Sequence, residues 1–364
     1  MPSPDPDSRP DKPPRRPRYA GKNPRQFHEK YKELQPQLYP DDVAKVLDSG
    51  KTPAGTHRPI MVREILQVLA PKPGDVAVDC TLGYGGHATE LLTKVLPGGR
   101  LLAVDADPLE LPKAEARLRS LGFPPEALVV QRMNYAGVAQ LIAAESPGGA
   151  DVLLADLGLS SMQIDDPRRG FTFKFSGPLD MRMNPGRGLS AADLLTKLDK
   201  SKLAAILAEN ADEPHAEALA AAILQVHGRG SLTTTEDLAE VVRGAVRRWS
   251  RGPETGDDTV RRVFQALRIA VNDEFGALES FLRQLPSCLK PGGRAAILTF
   301  HSGEDRRVKQ AFKEGLRSGV YSSISQDVTR ATPTEQRFNP RSASAKLRFA
   351  VRATTAELES DGGA

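Results

Sequence analysis

The stretch "VAVDCTLGYGGHATELLTKVL", residues 76–96, changes character twice within 21 positions. A short apolar run with β-branched residues gives way to a glycine loop, and the loop to a helical pattern that "PGG" stops at 97–99. Strand, loop and helix in that order place the loop where a ligand can meet both glycine backbone and the free N–H groups of a helix start. Gly83, Gly85 and Ala88 satisfy the dinucleotide pattern G-x-G-x-x-G/A, whereas Asp79 and the additional Gly86 suit an adenosyl cofactor that lacks a pyrophosphate. On its own the loop fits both.

The same rhythm extends outward. "PIMVREILQVLA" puts Ile60, Met61, Ile65, Val68 and Leu69 on one helical stripe, ended by "PKPGD" at 71–75. After the quoted stretch come a strand at 100–107, a helix "PLELPKAEARLRSL", a strand at 127–133, a helix "YAGVAQLIAAE" and a strand "ADVLLADLGL" at 150–159. Strands that are apolar throughout and alternate with helices predict a parallel sheet covered on both faces, an α/β class. From about 160 the rhythm breaks into a long polar loop, then residues 190–250 read as helical and "DTVRRVFQALRIAVNDEFGALESFLRQLPSCL" as one further helix. "GGRAAILTFHS" at 292–302 resumes the sheet and "SAKLRFAVRAT" closes it. The expected organisation is a basic Pro-rich arm over 1–50, a sheet core over 57–180 and 273–352, a helical insertion over 181–272, and a tail over 353–364.

Composition bounds the class. With 364 residues and 39% hydrophobic side chains the chain can bury a proper core. Cys80 and Cys288 are its only cysteines, which points to neither a disulfide framework nor a zinc cluster and suits a reducing cytoplasm. There is no apolar run of membrane-spanning length and no signal core, so the expectation is a cytoplasmic protein without a membrane partner. The net charge of +4 is modest, but nine Lys/Arg between Arg9 and Lys32 face only Asp11 and Glu29. Such an arm is expected to be disordered, either as a solubilising tail or as a tether for nucleic-acid phosphates.

Ligands of an open parallel sheet collect at the carboxyl ends of its strands. Asp105 ends the second strand 22 residues after Gly83, where a carboxylate accepts hydrogen bonds from ribose hydroxyls in nicotinamide and adenosylmethionine sites alike. Asp156 ends the fourth strand, followed by small residues and Gln163, and is a candidate reacting or cofactor-facing group. Arg168 and Arg169 lie in the loop expected to border the pocket. Arg243, Arg247 and Arg251 fall on one helical face of the insertion, either as solvated surface or as phosphate contacts.

Taken together, "HRPIMVREIL", "DCTLGYGGHATELL", "GRLLAVDADP", "ADVLLADLGLSSMQIDDPRRGFTF", "GPLDMRMNP", "RRVFQALRIAVNDE", "PGGRAAILTFHSGEDRRVK" and "NPRSASAKLR" strongly resemble the bacterial 16S ribosomal RNA cytosine-4-amino methyltransferase family, the RsmH or MraW type, across about residues 57–352. The resemblance implies a Rossmann-like class I methyltransferase sheet with an inserted all-helical domain. It also implies S-adenosyl-L-methionine as cofactor and methylation of a cytidine amine in the decoding region, with 16S rRNA or the small ribosomal subunit as partner. Oligomeric state is left open, a homodimer among the options. Position by position it assigns cofactor contacts to Gly85, Gly86, His87, Asp105, Tyr135, Asp156 and Gln163, and no metal. Asp156 is the expected catalytic residue, with His301 and Ser302 as second-tier candidates for base recognition. Tyr135 is suited to stacking on adenine, and His87 is expected to act through its backbone. The arm before His57 is longer than the family usually carries, and Gly303 stands where the family usually has Leu.

Overall fold

In the computed structural model, residues 59–228, 230, 232–249 and 256–354 are described. The basic arm, Arg251 and most of the expected tail lie outside them. The chain runs α1 (Val62–Leu69), β1 (Val76–Asp79), α2 (Gly86–Val95), β2 (Arg100–Asp105), α3 (Leu111–Ser120), β3 (Leu128–Arg132), α4 (Val138–Glu145) and β4 (Ala150–Asp156). There follow α5 (Ser161–Asp165), α6 (Ala191–Lys197), α7 (Lys200–Ala211), α8 (Ala216–His227), α9 (Thr235–Trp249) and α10 (Asp257–Asn272). The last elements are α11 (Glu274–Cys288), β5 (Leu289–Thr299), α12 (Ser302–Arg317), β6 (Tyr321–Ile324), α13 (Pro333–Phe338) and β7 (Lys346–Arg352).

The seven strands form one sheet in the order β3-β2-β1-β4-β5-β7-β6. The first five are parallel, and β7 runs antiparallel between β5 and β6. Successive residues of β2 show why its sequence is apolar without alternation. Leu102 and Val104 pack into the core beneath α4, α11 and α12, while Leu101 and Ala103 pack into the opposite core beneath α1, α2 and α3. Strand order reverses between β1 and β4, so the loops after these two strands open a crevice at the switch point. The glycine loop and the loop after Asp156 are those loops.

A third apolar cluster, running from Phe171 to Leu267, sits among α6 to α10 and shares no buried residue with the two sheet cores. It begins at Phe171, ahead of the expected boundary at 181. The single helix expected over 258–289 is two helices. Asp273 turns left-handed at φ 49, and Asn272 next to it accepts from Met183 N at 2.7 Å and donates to Met181 O at 2.8 Å. The break lets one segment serve two cores: Val263, Phe264 and Leu267 of α10 pack in the helical cluster, and Leu278, Phe281 and Leu285 of α11 under the sheet. Sequence periodicity, which is helical on both sides of Asp273, does not register the turn. The loop after β4 also carries the short helix α5, started by a reciprocal pair in which Ser160 Oγ accepts Gln163 N and Gln163 Oε1 accepts Ser160 N.

Candidate active site at the β1–β4 switch point

Gly85 precedes α2 at φ 80. A side chain there would strain the backbone and meet Arg117 and Leu118, and one at Gly86 would run into the Pro59 ring. Arg117 stacks over the Tyr84 ring at 4.3 Å and donates to Tyr84 O, fixing the loop from outside. The loop therefore brings α2 against the end of β1 with its first N–H groups unspent by side-chain caps.

Three ionisable side chains meet below that helix start. Asp79 ends β1 and is 1% exposed; its Oδ1 accepts Thr81 N at 3.0 Å, while Oδ2 has no hydrogen-bond partner. His87 is buried in the first turn of α2, and its Nε2 lies 3.4 Å from Asp156 Oδ2, an ion-pair distance longer than a well-formed hydrogen bond. Asp156 ends β4 with its side chain 27% exposed, and its N–H donates to Thr81 Oγ1 at 2.7 Å, which locks the two strand ends together.

The electrostatics follow from this packing. Burial, offset only in part by His87 and the Thr81 N–H, pushes Asp79 from the usual 3.8 up to about 6, with Asp156 and Asp105 adding to the rise. Burial disfavours the His87 cation, but the Asp156 carboxylate beside it, with Asp79 and Glu90, outweighs that and holds its pKa above 6.5. The centre thus combines acids, a histidine that favours its charged form, and buried polar atoms without protein partners. A polar ligand carrying both donors and acceptors fits it.

Asp79 also makes a testable cost. Native Asp79 keeps its proton between 3.8 and about 6, where the unfolded chain has released it, so stability falls as pH rises through that window. We expect Asp79→Asn to match the wild type near the bottom of the window and to exceed it by about 3 kcal/mol above the top, at about 1.36 kcal/mol per tenfold in acidity. Urea unfolding across the pH range reads the difference; a gap independent of pH would refute the assignment.

Asp105 ends β2, where burial raises its pKa despite N–H groups from Asp107 and Gly83. Its Oδ2 accepts Gly83 N at 2.7 Å and its Oδ1 accepts Asp107 N at 2.8 Å, leaving one lone pair on each oxygen for hydroxyl donors. Tyr135, after β3, stands edge-on to Phe281 at 5.5 Å, with its hydroxyl 3.4 Å from Glu274 O.

Gln163 sits differently from a residue open to a ligand. Both ends of its amide are used within the chain: Oε1 caps α5, and Nε2 donates to Asp107 Oδ2 at 2.7 Å. Asp107, 1% exposed, also pairs through Oδ2 with Arg169 at 2.8 Å, and Arg169 donates onward to Arg182 O and Met183 O. This corrects the expectation that Arg169 offers a cation to the pocket rim. It is buried and ties the loop after β4 to the turn after β2. Arg168 does lie outside, its side chain 83% exposed, and bonds Asp166.

The remaining candidates have structural partners. His301 caps α12 through Nδ1 and lies 3.3 Å from Glu304 through Nε2. Ser302 Oγ donates to Asp212 at 3.0 Å. A Cβ on Gly303 would come 2.6 Å from Phe275 Cζ, so the glycine leaves room for that ring, over which Arg307 stacks at 3.6 Å. Glu274, His301 and Glu304 could offer ligand atoms within 4.8 Å of one another, but Arg268 already binds both oxygens of Glu274. Arg243 is held by Asp257 at 2.9 Å, whereas Arg247 and Arg248 are exposed. Sequence reasoning placed Asp79 only in the cofactor loop, and the side-chain role of His87 escaped it; the signal was a carboxylate at a strand end followed by a histidine in the first helical turn.

A family model described as the MraW methylase family matches residues 54–353. Among curated relatives, Ribosomal RNA small subunit methyltransferase H 2 of Alkaliphilus metalliredigens is 48% identical over 342 residues, covering 93% of this chain and 97% of its own. Ribosomal RNA small subunit methyltransferase H 1 of Lachnoclostridium phytofermentans is 47% identical over 342 residues, 93% of each chain. Ribosomal RNA small subunit methyltransferase H of Deinococcus radiodurans is 41% identical over 305 residues, 84% of this chain and 92% of its own.

Proposed function

The chain belongs to the MraW methylase family, and from that premise we propose that it methylates the exocyclic 4-amino group of a cytidine in the decoding region of 16S rRNA, using S-adenosyl-L-methionine. The nicotinamide reading of the glycine loop falls away with the family, and relatives named as methyltransferases favour catalysis over the other alternative the sequence allows, a non-catalytic ribosome-assembly protein that keeps the fold only to bind RNA. The observation that carries the site assignment is the meeting of Asp79, His87 and the partly exposed Asp156 at the switch point. Cofactor and base would share that crevice.

S-adenosylmethionine, when bound, supplies a methyl already activated on a sulfonium. The residues present fit such a group. Asp105 has lone pairs for the ribose hydroxyls, Gly85, Gly86 and the α2 start would wall the methionine end, and Tyr135, edge-on to Phe281, is the aromatic we assign to the adenine side. The unpartnered Asp79 Oδ2 would meet the amino group of the methionine end, while His87 Nε2 is turned to Asp156. Gln163 contributes by holding the loop after β4 through Asp107.

Cytosine's amine is a poor nucleophile because its lone pair is delocalised into the ring. Asp156 offers an acceptor for one N4 proton, which localises that lone pair as the new N–C bond forms and takes up the proton when the methylated amine would otherwise be cationic. His87, 3.4 Å away through Nε2, holds the Asp156 carboxylate in place. The target base must leave its stack to reach this depth. The helical insertion and Arg168 are the surfaces we assign to the surrounding RNA, and the cytoplasm is where that substrate is found.

The direct test is mass spectrometry of small-subunit rRNA from cells with and without the protein. Loss of one N4-methyl on a decoding-region cytidine is expected. Identical cytidine modification in both rRNAs would overturn the proposal.

A further inference from the structure

Phe338 is 79% exposed, more than any other large apolar side chain among the described residues. It is not on a frayed segment. Its helix α13 is capped by Thr332, whose Oγ1 accepts Glu335 N at 3.2 Å, and Glu335 Oε1 in turn accepts Met61 N at 2.8 Å. Three residues on, Arg341 donates to Asp165 Oδ1 at 2.8 Å. Asp165 ends α5, the helix that starts five residues after Asp156, so the segment is fastened to the wall of the candidate active site. A single exposed ring is ordinary on a protein surface; what distinguishes this one is its anchoring and its neighbours.

The surroundings select the kind of partner. Arg337 next to the ring and Arg330 before the helix are exposed and have no acidic partner among the described residues. An aromatic face beside exposed guanidinium groups matches a nucleotide: a base for the ring and a phosphate for the arginines. An apolar protein surface would use the ring and leave the charges unserved.

We propose that Phe338 and Arg337 form a stacking platform for an unpaired nucleotide of the rRNA that flanks the target cytidine. The proposal rests on the reading of the substrate given above. The platform adds a grip on the RNA outside the pocket, so it acts on substrate capture and leaves the chemical step alone.

The experiment measures methyl transfer to small subunits purified from cells lacking the protein, at several salt concentrations, with cofactor binding and thermal midpoints measured in parallel. For Phe338→Ala, KM is expected to rise about 5- to 150-fold, the scale of one lost base–aromatic stack. Its kcat, cofactor affinity and thermal midpoint should be unchanged, and Phe338→Tyr should restore KM. Arg337→Ala should lower the slope of log KM against log salt by about one. A wild-type KM for Phe338→Ala at every salt concentration overturns the platform. So does a loss seen only with assembled subunits when protein-free 16S rRNA is bound equally by both proteins, because the ring then meets a ribosomal protein. If the wild type transfers no methyl to small subunits but Phe338→Ala still weakens their binding, the platform stands and the assigned reaction fails.

Discussion

Asp156→Asn is expected to lower the single-turnover rate of methyl transfer by about 10²- to 10⁴-fold, the range associated with a lost general base. The substitution keeps the size of the side chain and its N–H bond to Thr81 Oγ1, while the amide cannot take a proton from the cytosine amine. His87→Asn separates the two contributions: it removes the group 3.4 Å from Asp156 Oδ2 but leaves the carboxylate, so its rate should fall less. Cofactor titrations on the same variants show whether the rate loss is chemical. An Asp156→Asn enzyme that binds cofactor and works at the wild-type rate would move the acceptor role to a backbone carbonyl beyond the strand. The experiment also bears on Asp79. If its cost to stability is retained for the cofactor, Asp79→Asn should bind S-adenosylmethionine more weakly while folding more stably above pH 6, the top of its titration window.

Much of the sheet was legible because its physics is local. Strands such as β2, buried on both faces, need apolar residues at every position, and the helices between them carry their own stripes and stops. The four-residue β6 left no such trace; it exists because β7 offers it an antiparallel edge. Asp273 was illegible for a similar reason. Its left-handed turn is fixed by where Asn272 binds and by which core each half of the segment joins. At the site, Asp105 and Asp156 were readable from their places at strand ends. The pairing of His87 with Asp156 is a contact across the sheet, and so is the orphaned oxygen of Asp79. Arg169 misled because a charged residue in a polar loop reads as surface, and only the fold shows that Asp107 waits for it inside.

That buried pair supports the second large prediction. Asp107 and Arg169 have side chains 2% and 8% exposed, and the Asp107 carboxylate also receives Gln163 Nε2 and the N–H groups of Leu109 and Glu110. Asp107→Ala strands a guanidinium in a site built for an ion pair, and the expected loss of stability is about 3–5 kcal/mol. Arg169→Met alone strands the carboxylate, at smaller cost because the amide donors remain. The double variant Asp107→Ala/Arg169→Met should recover a large part of the loss, since no buried charge is left unpaired, and the coupling in that cycle isolates the pair. Urea unfolding measures all three. Simple additivity of the two losses would mean that water reaches the pair and screens it. Function should part company with stability here: without Arg169 the bonds to Arg182 O and Met183 O go too, and the loop after Asp156 loses its link to the helical insertion. The recovered double variant should therefore remain slow in methyl transfer even at temperatures where it is fully folded.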